Sequence, residues 1–79
     1  MTLHDRFCRG LEAMGFTPFH SRNMYTMYMR QETERTPVRY VFVGKAGALR
    51  VNSRPNAATS RDCGDSVKAM VLDAYVANA

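Results

Sequence analysis

YVFVGKAGALRV, residues 40–51, sets two apolar runs on either side of a Gly-Lys-Ala-Gly tetrapeptide. Glycines bracketing a lysine admit two readings. A phosphate cradle of the P-loop kind needs G-x-x-x-x-G-K-[ST] leading from a strand into a helix. Here Lys45 is followed by Ala46 and then by a second apolar run. The glycines are therefore those of a tight hairpin, where the turn demands backbone angles that other residues resist. Two strands follow, 38–44 and 48–53. With Gly44–Gly47 as a four-residue loop, Val43 faces Ala48, Phe42 faces Leu49, Tyr40 faces Val51 and Arg39 faces Asn52. That register puts Val38, Tyr40, Phe42, Leu49 and Val51 on a core side. Arg39, Val41, Val43, Ala48, Arg50 and Asn52 fall on the other, because a one-residue slip would carry arginine into the core.

Working outward toward the N-terminus, MYTMYMR (24–30) reads as another strand, rich in residues that favour a pleated, half-buried surface. Its more apolar set, Tyr25, Met27 and Met29, is expected to face the core, which leaves Met24, Thr26, Tyr28 and Arg30 on the open side. QETERTP (31–37) is a polar loop, and FTPFHSRN (16–23), with Pro18 and a Ser-Arg-Asn turn signal, an extended entry or loop. Leu3, Phe7, Leu11 and Met14 recur at helical spacing, with Thr2 and Asp5 as a loose capping box and Gly15 as the stop. On the C-terminal side, RPNAATS (54–60) is a loop. A helix begins at Ser60 or Asp65, with Val67, Met70, Val71 and Ala74 on one face and Leu72, Tyr75 and Val76 widening it.

The order α-β-β-β-α predicts an α+β fold: a three-stranded antiparallel meander with both helices on one face and the other face open. The expected core is Phe7, Leu11, Tyr40, Phe42, Leu49, Val51, Met70 and Val71. Seventy-nine residues, 46% apolar and 23% charged, make one domain spanning 1–79, near the lower limit at which a single core suffices. No apolar run approaches the ~20 residues of a membrane span, and the mixed, charged start is unlike a secretory signal. A cytoplasmic protein with no membrane partner, more a monomer than an oligomer, is expected.

The net charge of +4 is unevenly placed. Residues 22–61 hold eight cations against Glu32 and Glu34, a balance of +6, whereas the rest of the chain stands at −2. This favours an anionic partner approaching the middle of the chain, unless the cations simply solvate one face. On the expected open face the partner-binding residues are Tyr28, Arg30, Arg39 and Arg50, with Lys45 at the hairpin tip. Arginine suits planar, bidentate pairing with carboxylate or phosphate.

Catalysis needs a positioned acid, base, nucleophile or metal. The carboxylates Asp5, Asp62 and Asp65 read as helix-start residues. His4, Cys8, His20 and Cys63 match no zinc knuckle or finger spacing. The two cysteines form no C-x-x-C pair, and a reducing compartment disfavours a disulfide. No enzyme activity, cofactor or metal is expected.

Two resemblances bear on function. The element order in roughly 70 residues is similar to that of the double-stranded-RNA-binding domain. That family grips phosphates with a lysine cluster at its second helix. The corresponding SRDCGDSVKAM here has Arg61 and Lys68 but also Asp62 and Asp65, so the cluster is absent. The pattern YVFVGKAGALRV, followed by a polar loop and a serine-capped helix, resembles short phage-type sequences over residues 25–68. Small, catalytically empty phage proteins of this size include the anti-CRISPR proteins. The resemblance implies a non-catalytic inhibitor that binds a bacterial protein or nucleoprotein complex, such as a CRISPR effector complex, and blocks target-DNA binding. Many such inhibitors are acidic DNA mimics, and this chain is basic. The alternative is a small basic nucleic-acid-binding module.

Overall fold

The computed structural model describes all 79 residues. In chain order the elements are α1 (Leu3–Ala13), β1 (Thr17–Ser21), β2 (Tyr25–Arg30), β3 (Arg39–Gly44), β4 (Leu49–Asn52), a 3-10 turn (Ala57–Thr59), β5 (Arg61–Asp62) and α2 (Asp65–Ala77). The fold is α+β, as its sequence pattern predicts. The sheet has five antiparallel strands in the order β1-β2-β3-β4-β5 rather than three. The extra strands are the two edges. β1 carries Pro18 and a register shift between Pro18 and His20, features that blunt an edge against further pairing. β5 is two residues long.

Thr2 caps α1: its Oγ1 accepts from the Asp5 backbone N–H at 3.1 Å, and Asp5 Oδ2 accepts from the Thr2 N–H at 3.4 Å. These bonds to Thr2 hold the Asp5 carboxyl below its ordinary range. Gly15, at φ 92°, ends the helix, and the Phe16 N–H returns to the Leu11 carbonyl at 3.0 Å. Thr2→Ala should lower stability by about 1 kcal/mol, read from urea midpoints. A depressed carboxylate pKa stabilises fully above the unfolded value, and that contribution is lost as pH falls through the folded one. The difference between wild type and Thr2→Ala should therefore shrink in acid, below the ordinary carboxylate range.

Both helices lie on one face of the sheet. Phe7, Cys8 and Leu11 of α1 and Val71 of α2 share one buried cluster with Tyr28, Val41, Val43 and Leu49. The helices touch at Gly10, where an added Cβ would lie 2.8 Å from Val71 Cγ1 and closer still to the Val71 carbonyl oxygen. This contact draws α2 onto α1, and α2 touches the sheet little. Val71 is its one fully buried residue, while Met70 and Val76 are exposed. The apolar pattern of α2 therefore overstates how deeply it is buried.

The β3–β4 hairpin corrects the expected register. Val43 pairs with Leu49, Phe42 with Arg50, Val41 with Val51 and Tyr40 with Asn52. The Gly47 N–H bonds the Gly44 carbonyl, and the Gly44 N–H bonds the Ala48 carbonyl. Three residues, Lys45, Ala46 and Gly47, thus form the loop, with Gly47 at φ 100°, the pattern of a type I turn followed by a left-handed residue. One residue fewer in the loop turns Tyr40 and Phe42 away from Leu49 and Val51. The helix-covered face is therefore Val41, Val43, Leu49 and Val51, with Thr26 and Tyr28 of β2 beside them.

Tyr25, Met27, Met29, Tyr40 and Phe42, expected to face the helices, instead form the second face. It is apolar as well, and Met27 and Phe42 are 3% and 2% exposed. Rings pack edge-on, Tyr25 on Phe42 at 5.6 Å and Phe19 on Tyr40 at 5.7 Å. The segment between β4 and β5 is tied across this face. Arg50 Nε donates to Ser60 Oγ at 2.9 Å and its Nη2 to the Ser60 carbonyl. Asn52 Nδ2 donates to the Asn56 carbonyl at 2.7 Å and to Thr59 Oγ1 at 2.8 Å. The second face is therefore partly closed, and its β1–β2 side, with Phe19 49% exposed, stays open.

Candidate functional site

The five residues expected on one open face are separated by the corrected register. Tyr28 is buried under α1, and its Oη donates to Glu12 Oε2 at 2.6 Å. Burial, and then the bond to Glu12, push its phenol pKa up, so it remains a neutral structural donor. Lys45 stands at the hairpin tip and its Nζ reaches Thr26 Oγ1 at 3.4 Å. Arg50 lies on the second face, held by Ser60 as described. Arg30 and Arg39 alone remain together. They are cross-strand partners on the helix side, at the end of the sheet away from the hairpin tip.

At that end the sheet and α2 part, and the gap is a groove of about 770 Å³. α2 leans on α1 at Gly10, and beside it the space above β4 and β5 is left open. Met14 at the C-cap of α1, Val67 and Met70 of α2, Val51 of β4, and Val38 just before β3 are among the apolar residues that line the groove. Arg30, Arg39 and Arg61 also line it. Arg61 reaches this side through its pairing with Val51.

The three arginines differ in their local partners. Arg30 lies 3.2 Å from Glu32 and 5.7 Å from the Phe16 ring centroid, so it is anchored at the rim. Arg39 and Arg61 are exposed and have no acidic partner within 4.0 Å. A carboxylate brought to either of them would pair without displacing an internal one. The sequence counts Arg61 among the mid-chain cations but does not place it at the site, because it falls just past the 54–60 loop, where a helix begun at Ser60 would already run. Its alternation with Ser60 and Asp62 in a two-residue strand gives too short a pattern to signal a face.

Candidate reactive groups lie elsewhere or are muted. His4 Nε2 lies 3.5 Å from Cys8 Sγ and 3.4 Å from Thr26 Oγ1, and its Nδ1 3.2 Å from the Gly44 carbonyl. This cluster ties the start of α1 to the hairpin. Burial pushes the Cys8 thiol up and the Cys63 thiol to about 11, so both are protonated at neutral pH and poor nucleophiles. No three His, Cys, Asp or Glu side chains converge in a metal-holding group. No helix is long and apolar enough to cross a membrane. Comparison of the chain with protein-family models, with curated proteins and with solved structures returned no significant match.

Proposed function

We propose that this chain is a non-catalytic binding protein. It acts, in the manner of the phage-encoded anti-CRISPR proteins it resembles in size and pattern, by docking on a bacterial nucleoprotein effector complex and blocking access of target DNA. One observation carries the reading: Arg39 and Arg61, exposed and without an acidic partner within 4.0 Å, stand with Arg30 at an apolar groove. A track of cations is what a nucleic-acid backbone selects, since each phosphate contact contributes through counterion release. An apolar cleft with guanidinium groups at its rim suits a protein surface, where desolvated apolar anchors and arginine pairs supply most of the affinity.

The test is recovery of the chain with an effector complex from a bacterial lysate, followed by a target-DNA shift with the isolated complex. Wild type should co-elute and abolish the shift. Arg39→Glu combined with Arg61→Glu should lose both effects with an unchanged circular-dichroism spectrum. Arg22→Glu combined with Arg35→Glu, the same charge change away from the groove, should retain them. The basic middle segment is what favours the other reading, a direct nucleic-acid binder. Tight binding of the isolated chain to naked duplex at physiological salt, falling steeply as salt rises and with no protein recovered, would establish it instead.

A further inference from the structure

We infer that the groove captures an extended segment of a partner polypeptide in which two or three apolar residues stand between two carboxylates. The inference rests on reading the chain as a protein-binding module, and it assigns the chemistry that module recognises. The groove's volume, about 770 Å³, falls within the range of sites that enclose ligands. Its interior offers aliphatic and thioether groups from three elements, among them Met14, Val51, Val67 and Met70. Methionine side chains adapt to differently shaped apolar partners. Met70 is a large apolar residue left 55% exposed at the groove, and docking would remove it from water.

Register fixes the spacing of the charges. Val41 pairs with Val51, and Val51 with Arg61, so Arg61 lies two strands from Val41. Arg39 lies two residues from Val41 along β3. With strands about 4.8 Å apart and about 3.4 Å per residue, the Arg39 and Arg61 backbones are roughly 12 Å apart. An extended peptide covers that distance in three to four residues. The carboxylates should therefore be separated by two or three positions, and those positions should be apolar. Bidentate pairing by Arg39 and Arg61 would then fix the direction and register of a segment whose apolar residues fill the groove.

The test is titration of the isolated protein with the peptide acetyl-Gly-Glu-Leu-Leu-Phe-Asp-Gly-amide, followed by methyl NMR of its methionines. Met14 and Met70 should shift, because they line the groove, while Met24 and Met27 should not. The same peptide with lysine in place of both acids, and the one with serine in place of the three apolar residues, should each bind at least about tenfold more weakly. Arg39→Glu with Arg61→Glu should weaken the acidic peptide by a similar factor and should favour the lysine peptide. Absence of shifts at saturating peptide, shifts confined to Met24 and Met27, or equal binding of the lysine peptide would each overturn the inference. So would binding of dodecanoate without the peptide, which would make the groove a fatty-acid site. Because the titration needs no effector complex, failure to recover such a complex would refute only the proposed target. Inhibition of a complex by a chain that ignores the peptide would refute only the groove.

Discussion

Replacing Gly10 by leucine should leave the protein with no cooperative thermal transition, and replacing it by alanine should cost about 2 kcal/mol. The sign is what makes the alanine variant informative. In a helix interior with nothing nearby, alanine is more stable than glycine by about 1 kcal/mol. Here the new methyl would meet Val71, its Cγ1 at 2.8 Å and its carbonyl oxygen nearer still. A carbonyl cannot swing aside as a flexible side chain can, so α2 must move as a body. Overpacking of this kind costs typically 1–3 kcal/mol, and a backbone carbonyl as the nearest neighbour places it at the upper end. The net loss is a large part of the roughly 5 kcal/mol that holds a domain of this size. Urea denaturation of Gly10→Ala beside wild type measures it. A stabilised variant would mean that the two helices are not in contact at this position.

Phe42→Ala should cost about 3–5 kcal/mol, although no helix covers Phe42. Substitutions on a solvated sheet face usually stay within ±0.5 kcal/mol, so the experiment separates an open second face from a closed one. Phe42 is 2% exposed. It stands between Met27 and Arg50 in cross-strand register, with the Tyr25 ring edge-on to it. Arg50 is fastened over the strand by Ser60. Removal of the ring leaves a void between Met27 and Arg50, and Arg50 can move into it only by giving up its bonds to Ser60. Phe19→Ala, on the exposed side of the same face, should cost much less. Equal and small losses for the two would show the segment between β4 and β5 to be lifted off the sheet.

The helices and the three middle strands were legible because their signals are local. Spacings of three and four residues mark α1, Thr2 and Gly15 bound it, and tyrosine, valine and phenylalanine mark β2 and β3. The facing of the strands was not legible. In YVFV, residues 40–43, both alternating sets are apolar, and Arg39 sits at the strand end where it can reach solvent from the helix side, so period-two patterning cannot choose between Val41 with Val43 and Tyr40 with Phe42. The choice then falls to the hairpin loop. A single left-handed residue, Gly47, makes it three residues long instead of four, and GKAG permits either length. β1 was missed because Pro18 and the Ser-Arg-Asn turn argue against a central strand. It is an edge strand, where proline is tolerated. The groove was invisible for another reason: it depends on how α2 sits over the sheet, which a contact between residues 10 and 71 decides.

That same contact has a kinetic consequence. Every strand pairs with its neighbour in the chain, so the sheet can grow by successive hairpins, each a microsecond-scale event. The helices that close it are joined across sixty-one positions of sequence, Gly10 to Val71. The entropy of bringing them together is lost before their contact returns anything. The crossing is therefore expected to form late, after the main barrier. Changes at Gly10 or Val71 act chiefly on how fast the native state opens, and much less on how fast it is reached. A protein closed last by its helices also opens first there, at the walls of the groove.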